Sequence, residues 1–197
     1  MHRLWVACET LGYPFGPMIQ LLLLTGQRRT EVAGIRWSEI DLDKAEWTIP
    51  GTRTKNGEPH SVPLSDMALG IIKSLPRIKS NQGFLFTTTS ETHVTGYSRA
   101  KADLDKGIAR EGGDLPRWTL HDLRRTTASG MARLGINLPV IEKVLNHTSG
   151  SFAGIVGVYQ RHHFSDEKRN ALETWARFVQ SLLTPSENVV QLRASQP

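Results

Sequence analysis

Hydrophobic positions along the chain change their spacing twice, marking a helical front, a strand-rich middle and a helical rear. Leu4, Cys8 and Leu11 recur at helical intervals ahead of the breaker GYPFG, and Pro17 to Thr25 predicts a second helix stopped by Gly26. A third, short helix is expected around Thr30 to Arg36. Beyond it come the runs EWTIP, RTK and HSVPL, with Asn56-Gly57 between the last two. Asn-Gly tolerates the positive φ angles of a tight hairpin turn, so these runs predict a small three-stranded antiparallel sheet, with Lys55 immediately before the turn.

In the rear, Ser65 is placed to cap a helix from Asp66 to about Ser74. GFLFTT, residues 83–88, reads as a short strand or buried loop, followed by a helix near residues 95–110 and the loop REGGDLPRW. Thr119 with Asp122 three residues later is a capping-box pattern ahead of Leu120, Leu123, Thr127, Met131 and Leu134. Pro139 opens a helix to Leu145, a short helix carries Tyr159, and Asp166 to Leu183 forms the last. The fold class expected is α+β, mainly α-helical. The division expected is a single domain over residues 1–184 with a polar tail at 185–197 that frays.

Composition narrows the classes. The 197 residues, 39% of them hydrophobic, suffice for one sizeable core. Lysine and arginine number 24 against 19 acidic residues, a net charge of +5 that favours polyanionic partners and leaves ribosomal, nucleic-acid and membrane-surface proteins open. Cys8 is the only cysteine, so internal disulfides and thiolate metal clusters are excluded and a reducing cytosol fits. Met18 to Leu24, the most apolar run, is far shorter than the roughly 20 residues of a membrane span. The start, MHRLWVACETLG, lacks a secretory signal and enters a helix without preamble, which raises the prospect of an upstream domain.

Several local patterns suit an anion, each with an ordinary alternative. In TLHDLRRT, His121 and Arg124 share one face near a helix start, where backbone N–H groups already attract phosphate; a solvated face with a helical ion pair fits equally. In TGQRRTEV, Arg28 and Glu31 have the same spacing, for which a surface ion pair is the more frequent explanation. His147 in KVLNHTSG follows a helix end at which Asn146 is suited to the left-handed conformation, and a histidine there more often meets the last carbonyls. Tyr159, in GVYQRHHF, is a buried amphipathic ring or a nucleophile among cations, behind glycines 150, 154 and 157 that weaken its helix. No H-E-x-x-H, paired-carboxylate or phosphate-loop pattern is present, so neither metal nor nucleotide cofactor is expected.

Taken in order, Arg28, Lys55, His121-x-x-Arg124, His147 and Tyr159 resemble the tyrosine recombinases, the phage-integrase family, over about Pro17 to Leu183. By that resemblance Arg28 is the first catalytic arginine with Glu31 its supporting neighbour, Lys55 the hairpin lysine, His121 and Arg124 the H-x-x-R pair, His147 the late histidine and Tyr159 the nucleophile. Asn146 stands where the family usually has glycine. The family's N-terminal core-binding domain has no room in this length. The resemblance implies cofactor-free cutting and rejoining of double-stranded DNA through a 3′-phosphotyrosyl link by a site-specific recombinase or integrase of phage or mobile-element type. It further implies a homotetramer on DNA and a monomer when free, with no membrane role, in the cytoplasm of a bacterial host or phage-infected cell, at the nucleoid. A type IB topoisomerase-like enzyme and a non-cutting DNA-binding module remain as alternatives.

Overall fold

The structure, a computed structural model, describes residues 1–79, 82–113, 115–147 and 164–184. Its elements in chain order are α1 (His2–Leu11), α2 (Phe15–Thr25), α3 (Arg29–Ala33), β1 (Ile40–Asp41), β2 (Glu46–Ile49), β3 (His60–Pro63), α4 (Asp66–Ser74), α5 (Tyr97–Arg110), α6 (Leu120–Arg133), α7 (Leu138–Leu145) and α8 (Ser165–Leu183). The expected class holds: the domain is mainly helical with one small three-stranded antiparallel sheet. The expected helix carrying Tyr159 and the tail at 185–197 lie outside the described residues.

The α2 helix is the axis of the core. It is apolar on every side, and Met18, Ile19 and Leu21 through Leu24 are all buried because α1, α4, α6 and α8 pack around it. On α8, Trp175 is fully buried and its indole N–H donates to Leu23 O at 2.8 Å. Gly130 on α6 makes room for that ring, since a β-carbon there would lie 2.1 Å from Trp175. Helix ends follow local chemistry. Gly26 stops α2 at φ +65°, Ser65 Oγ accepts from Ala68 N–H to cap α4, and the Asp122 carboxylate accepts from Thr119 N–H at 2.8 Å at the start of α6. Among the described residues no helix is long and apolar enough to cross a membrane.

Two local expectations are corrected. Helix α3 ends at Ala33 rather than near Arg36, because Gly34 follows and the chain then extends: Leu85 N–H donates to Ile35 O, and Arg36 bridges Phe84. GFLFTT is therefore a buried loop with a single bridge. In the sheet, RTK is not a strand. The order is β1-β2-β3, with Ile40 opposite Trp47 and Ile49 opposite His60, so the third strand is Ile40–Asp41 and a ten-residue connection joins β2 to β3. Arg53 explains the departure. Its guanidinium donates to Glu39 Oε1 and Glu31 O, both at 2.6 Å, and to Gly34 O, with residues 51–53 in a 3-10 turn. Gly57 does take positive φ, +77°, but within this longer loop.

Candidate active site

The end of α2 is set tightly against α6 and α7. A β-carbon on Gly26 would stand 2.9 Å from Leu145 Cδ2 and 3.1 Å from Thr127 Cγ2, so steric contact and positive φ both require glycine. The backbone leaves that stop extended at Arg28, the N-cap of α3. Glu31, one turn on, accepts from Arg28 N–H at 2.8 Å and from Arg28 Nη1 at 2.9 Å. Because Glu31 is only 3% exposed, this is a buried carboxylate fixing an arginine rather than the ordinary surface pair.

The C-terminal carbonyls of α7 gather the neighbouring side chains. Helices leave their last carbonyls without internal partners, and here four side chains from three separate segments fill them. Val144 O accepts from Gln27 Nε2 at 2.9 Å and lies 3.1 Å from His60 Nε2; Leu145 O accepts from Arg124 Nη2 at 2.5 Å; Asn146 O lies 3.4 Å from Arg28 Nη2. Arg124 also donates to Gly26 O at 2.7 Å, joining the ends of α2 and α7 through one fork. The negative end of the helix dipole thus faces two guanidiniums.

Burial, followed by the charge of Arg28, pushes the Arg124 guanidinium down to about 10, so it stays cationic at neutral pH. His60 is buried, and burial followed by the Lys168 charge pushes it down to about 4, making it neutral in use. Its Nε2 then donates to Val144 O. His121 is exposed at the start of α6; partial burial first, then Arg125 and Arg124, lower its pKa. Arg28 and His121 open onto one cleft.

At the end of α7, Asn146 takes the left-handed conformation, φ 50° and ψ 49°, as its residue type predicts. His147 follows, with Nδ1 3.0 Å from Glu142 Oε2, a contact that orients the ring. Lys55 is exposed in the β2–β3 connection. The adjacent Asn56 donates from Nδ2 to Asn146 Oδ1 at 3.2 Å, tethering that connection beside His147. Arg28, held by Glu31, and Arg124 are thereby assembled with His147 around one helix end, with the Lys55 loop joined to it and His121 facing the same cleft as Arg28. Tyr159 lies outside the described residues. Among those described, no group of three His, Cys, Asp or Glu side chains could hold a metal.

Sequence reasoning overlooked Gln27, Asn56, His60 and Glu142. Only His60 left a usable signal: alternation in HSVPL puts it on the same face as Val62, hence inward.

Comparison with known proteins bears on this arrangement. The model of the phage integrase family matches residues 1–175. The prophage integrase IntA of Escherichia coli (strain K12) is 32% identical over 182 residues, covering 92% of this chain. The crystal structure of XerA recombinase superposes with a TM-score of 0.62 at 17% identity over 91% of this chain. The catalytic domain of bacteriophage HP1 integrase does so at 0.54 and 23% identity, covering 96% of this chain and 94% of that domain. The chain spans 42% of the length of IntA and 60% of the XerA chain. With the family model matched over most of its length and a relative above 30% identity, this chain belongs to the phage integrase family and has the fold of a tyrosine recombinase catalytic domain.

Proposed function

We propose that this chain is the catalytic domain of a site-specific recombinase that cuts and rejoins double-stranded DNA through a 3′-phosphotyrosyl intermediate. The observation that carries the reading is the convergence of Arg28 and Arg124 on adjacent carbonyls of α7, with His147 at that same helix end. Two fixed guanidiniums supply planar donors for the nonbridging oxygens of a phosphodiester. They are already oriented by Glu31 and by backbone carbonyls, so little reorganisation is needed as charge develops.

In the reaction proposed, the Tyr159 phenol loses its proton and its oxygen attacks the phosphorus. The bond to the 5′-oxygen breaks, and that oxygen leaves as a hydroxyl on taking a proton from Lys55. One phosphoester replaces another, so no external energy source or cofactor enters. Arg28 and Arg124 stabilise the pentacoordinate phosphorane, His147 donates through the ring nitrogen turned from Glu142, and His121 assists proton movement. A phenol titrating near 10 is a weak nucleophile at neutral pH, and attack beside the Arg28 and Arg124 cations would lower the cost of its phenolate.

The net charge of +5 supports a DNA partner. Assembly as a homotetramer on DNA from a free monomer, in the bacterial cytoplasm at the nucleoid, completes the proposal. Its test is a nicked suicide duplex incubated with the chain. Wild type forms a denaturant-resistant protein–DNA adduct, whereas Tyr159→Phe forms none yet binds DNA noncovalently about as well. Adduct formation undiminished in Tyr159→Phe would reassign the nucleophile.

A further inference from the structure

Beside the proposed phosphate site, Arg28 and His121 form one edge of a cleft of about 450 Å³, whose other walls include Arg29, Tyr97, Lys101 and Trp118. Among the described residues no carboxylate lines it. The two further cations are held in different ways. Lys101 Nζ lies 3.9 Å from the centre of the Trp118 ring and pairs with Asp105 at 2.6 Å, while the Trp118 N–H donates to the same Asp105 at 3.0 Å; that wall is closed and nearly neutral. Arg29 lies over the Tyr97 ring at 4.5 Å and makes no ion pair among the described residues. The Tyr97 hydroxyl donates to Val94 O at 2.8 Å, which fixes the ring beneath the guanidinium. The result is a preoriented cation whose donors are uncommitted among the described residues, facing a cleft large enough for a sugar-phosphate unit.

Resting on the reading of the site given above, we propose that Arg29 is a second DNA-phosphate residue, gripping the phosphate next to the scissile one on the strand that enters the Tyr97–Trp118 cleft. Arg28 and Arg29 are consecutive, with α-carbons about 3.8 Å apart. Their side chains diverge, Arg28 toward α7 and Arg29 toward α5. Divergent donors on neighbouring residues suit successive phosphates of one strand better than two oxygens of one phosphate. Stacking on Tyr97 leaves the guanidinium edge free for a bidentate contact, which a lysine could not make. Arg29 would position the strand; it does not touch the reacting atoms.

The test has two arms, both with the full chain. In the first, noncovalent affinity for a generic duplex is measured across salt concentrations. Arg29→Ala is expected to weaken binding about tenfold and to reduce the salt slope by about 0.9, the value for one phosphate contact, with Arg29→Lys recovering the slope but not the full affinity. Arg177→Ala, which removes a charge from α8 outside the cleft, is expected to leave the slope unchanged. A slope in Arg29→Ala equal to that of wild type overturns the proposal whether or not the chain cuts DNA. In the second arm, the position of the covalent adduct is mapped and single methylphosphonates are placed at the phosphates on either side. Wild type should lose affinity at one of these positions, and Arg29→Ala should be indifferent there. Equal sensitivity of both proteins at both positions overturns the assignment to the adjacent phosphate. Failure of wild type to form any adduct sinks the catalytic reading instead, and leaves the first arm to decide whether Arg29 holds phosphate.

Discussion

Arg124→Lys separates the charge of this residue from its shape. The arginine is 5% exposed and bridges Gly26 O at 2.7 Å and Leu145 O at 2.5 Å from two nitrogens of one plane. A lysine ammonium is a single point and cannot hold both carbonyls in that geometry, so at least one buried acceptor loses its donor. The cost of one such orphan is about 1–3 kcal/mol, which for a domain of this size corresponds to a fall of roughly 2–12 °C in Tm. The catalytic effect should be larger in proportion. With the fork lost, the cation no longer presents two donors to a phosphate, and adduct formation should fall by at least ~10²-fold, the scale for one transition-state donor. Thermal unfolding and single-turnover attachment to a nicked duplex measure the two effects on the same preparation. A lysine variant that keeps more than a tenth of wild-type attachment with an unchanged Tm would show that the fork neither secures the end of α7 nor serves the site.

His60 should make stability pH-dependent. Its pKa is near 4 in the folded chain against an ordinary 6.5, so between those values the unfolded chain binds more protons and stability falls on acidification; from pH 6.5 to 5 the loss is about 2 kcal/mol. His60→Gln, whose amide can still donate to Val144 O, should flatten this part of the urea-denaturation profile, and an identical slope in the variant would refute the assignment. At the end of α7, Asn146→Gly should keep stability close to wild type whereas Asn146→Ala should lose about 1 kcal/mol, because only the former accepts the left-handed backbone freely; equal urea midpoints would refute this. If Lys55 is the general acid, Lys55→Ala should attach slowly to ordinary DNA but approach wild-type rates when sulfur replaces the bridging 5′-oxygen, since a thiolate leaves without a proton. Equal impairment on both substrates would remove Lys55 from that role.

Much of the fold was legible because its signals are local. The glycine stop at Gly26, the Thr119 and Asp122 capping box, the Ser65 cap and the left-handed Asn146 each depend on a few neighbouring residues, and all stand where residue type places them. The order of Arg28, Lys55, His121, Arg124, His147 and Tyr159 was likewise readable, and it pointed to the family before any contact was known. What the sequence left undecided depends on carbonyls and charges meeting across the chain. RTK has the spacing of a strand, yet Arg53 satisfies acceptors on Gly34, Glu31 and Glu39 instead of extending a ladder. Arg28 and Glu31 have the spacing of a surface pair, yet packing buries the carboxylate. Above all, Val144, Leu145 and Asn146 collect donors from positions between 21 and 118 residues away. Helix periodicity and turn preference act within about four residues, so they can say that α7 ends at Asn146. Which side chains complete its open carbonyls is decided only when α2, α6 and the sheet close around it, and that closure makes separate basic residues into one site.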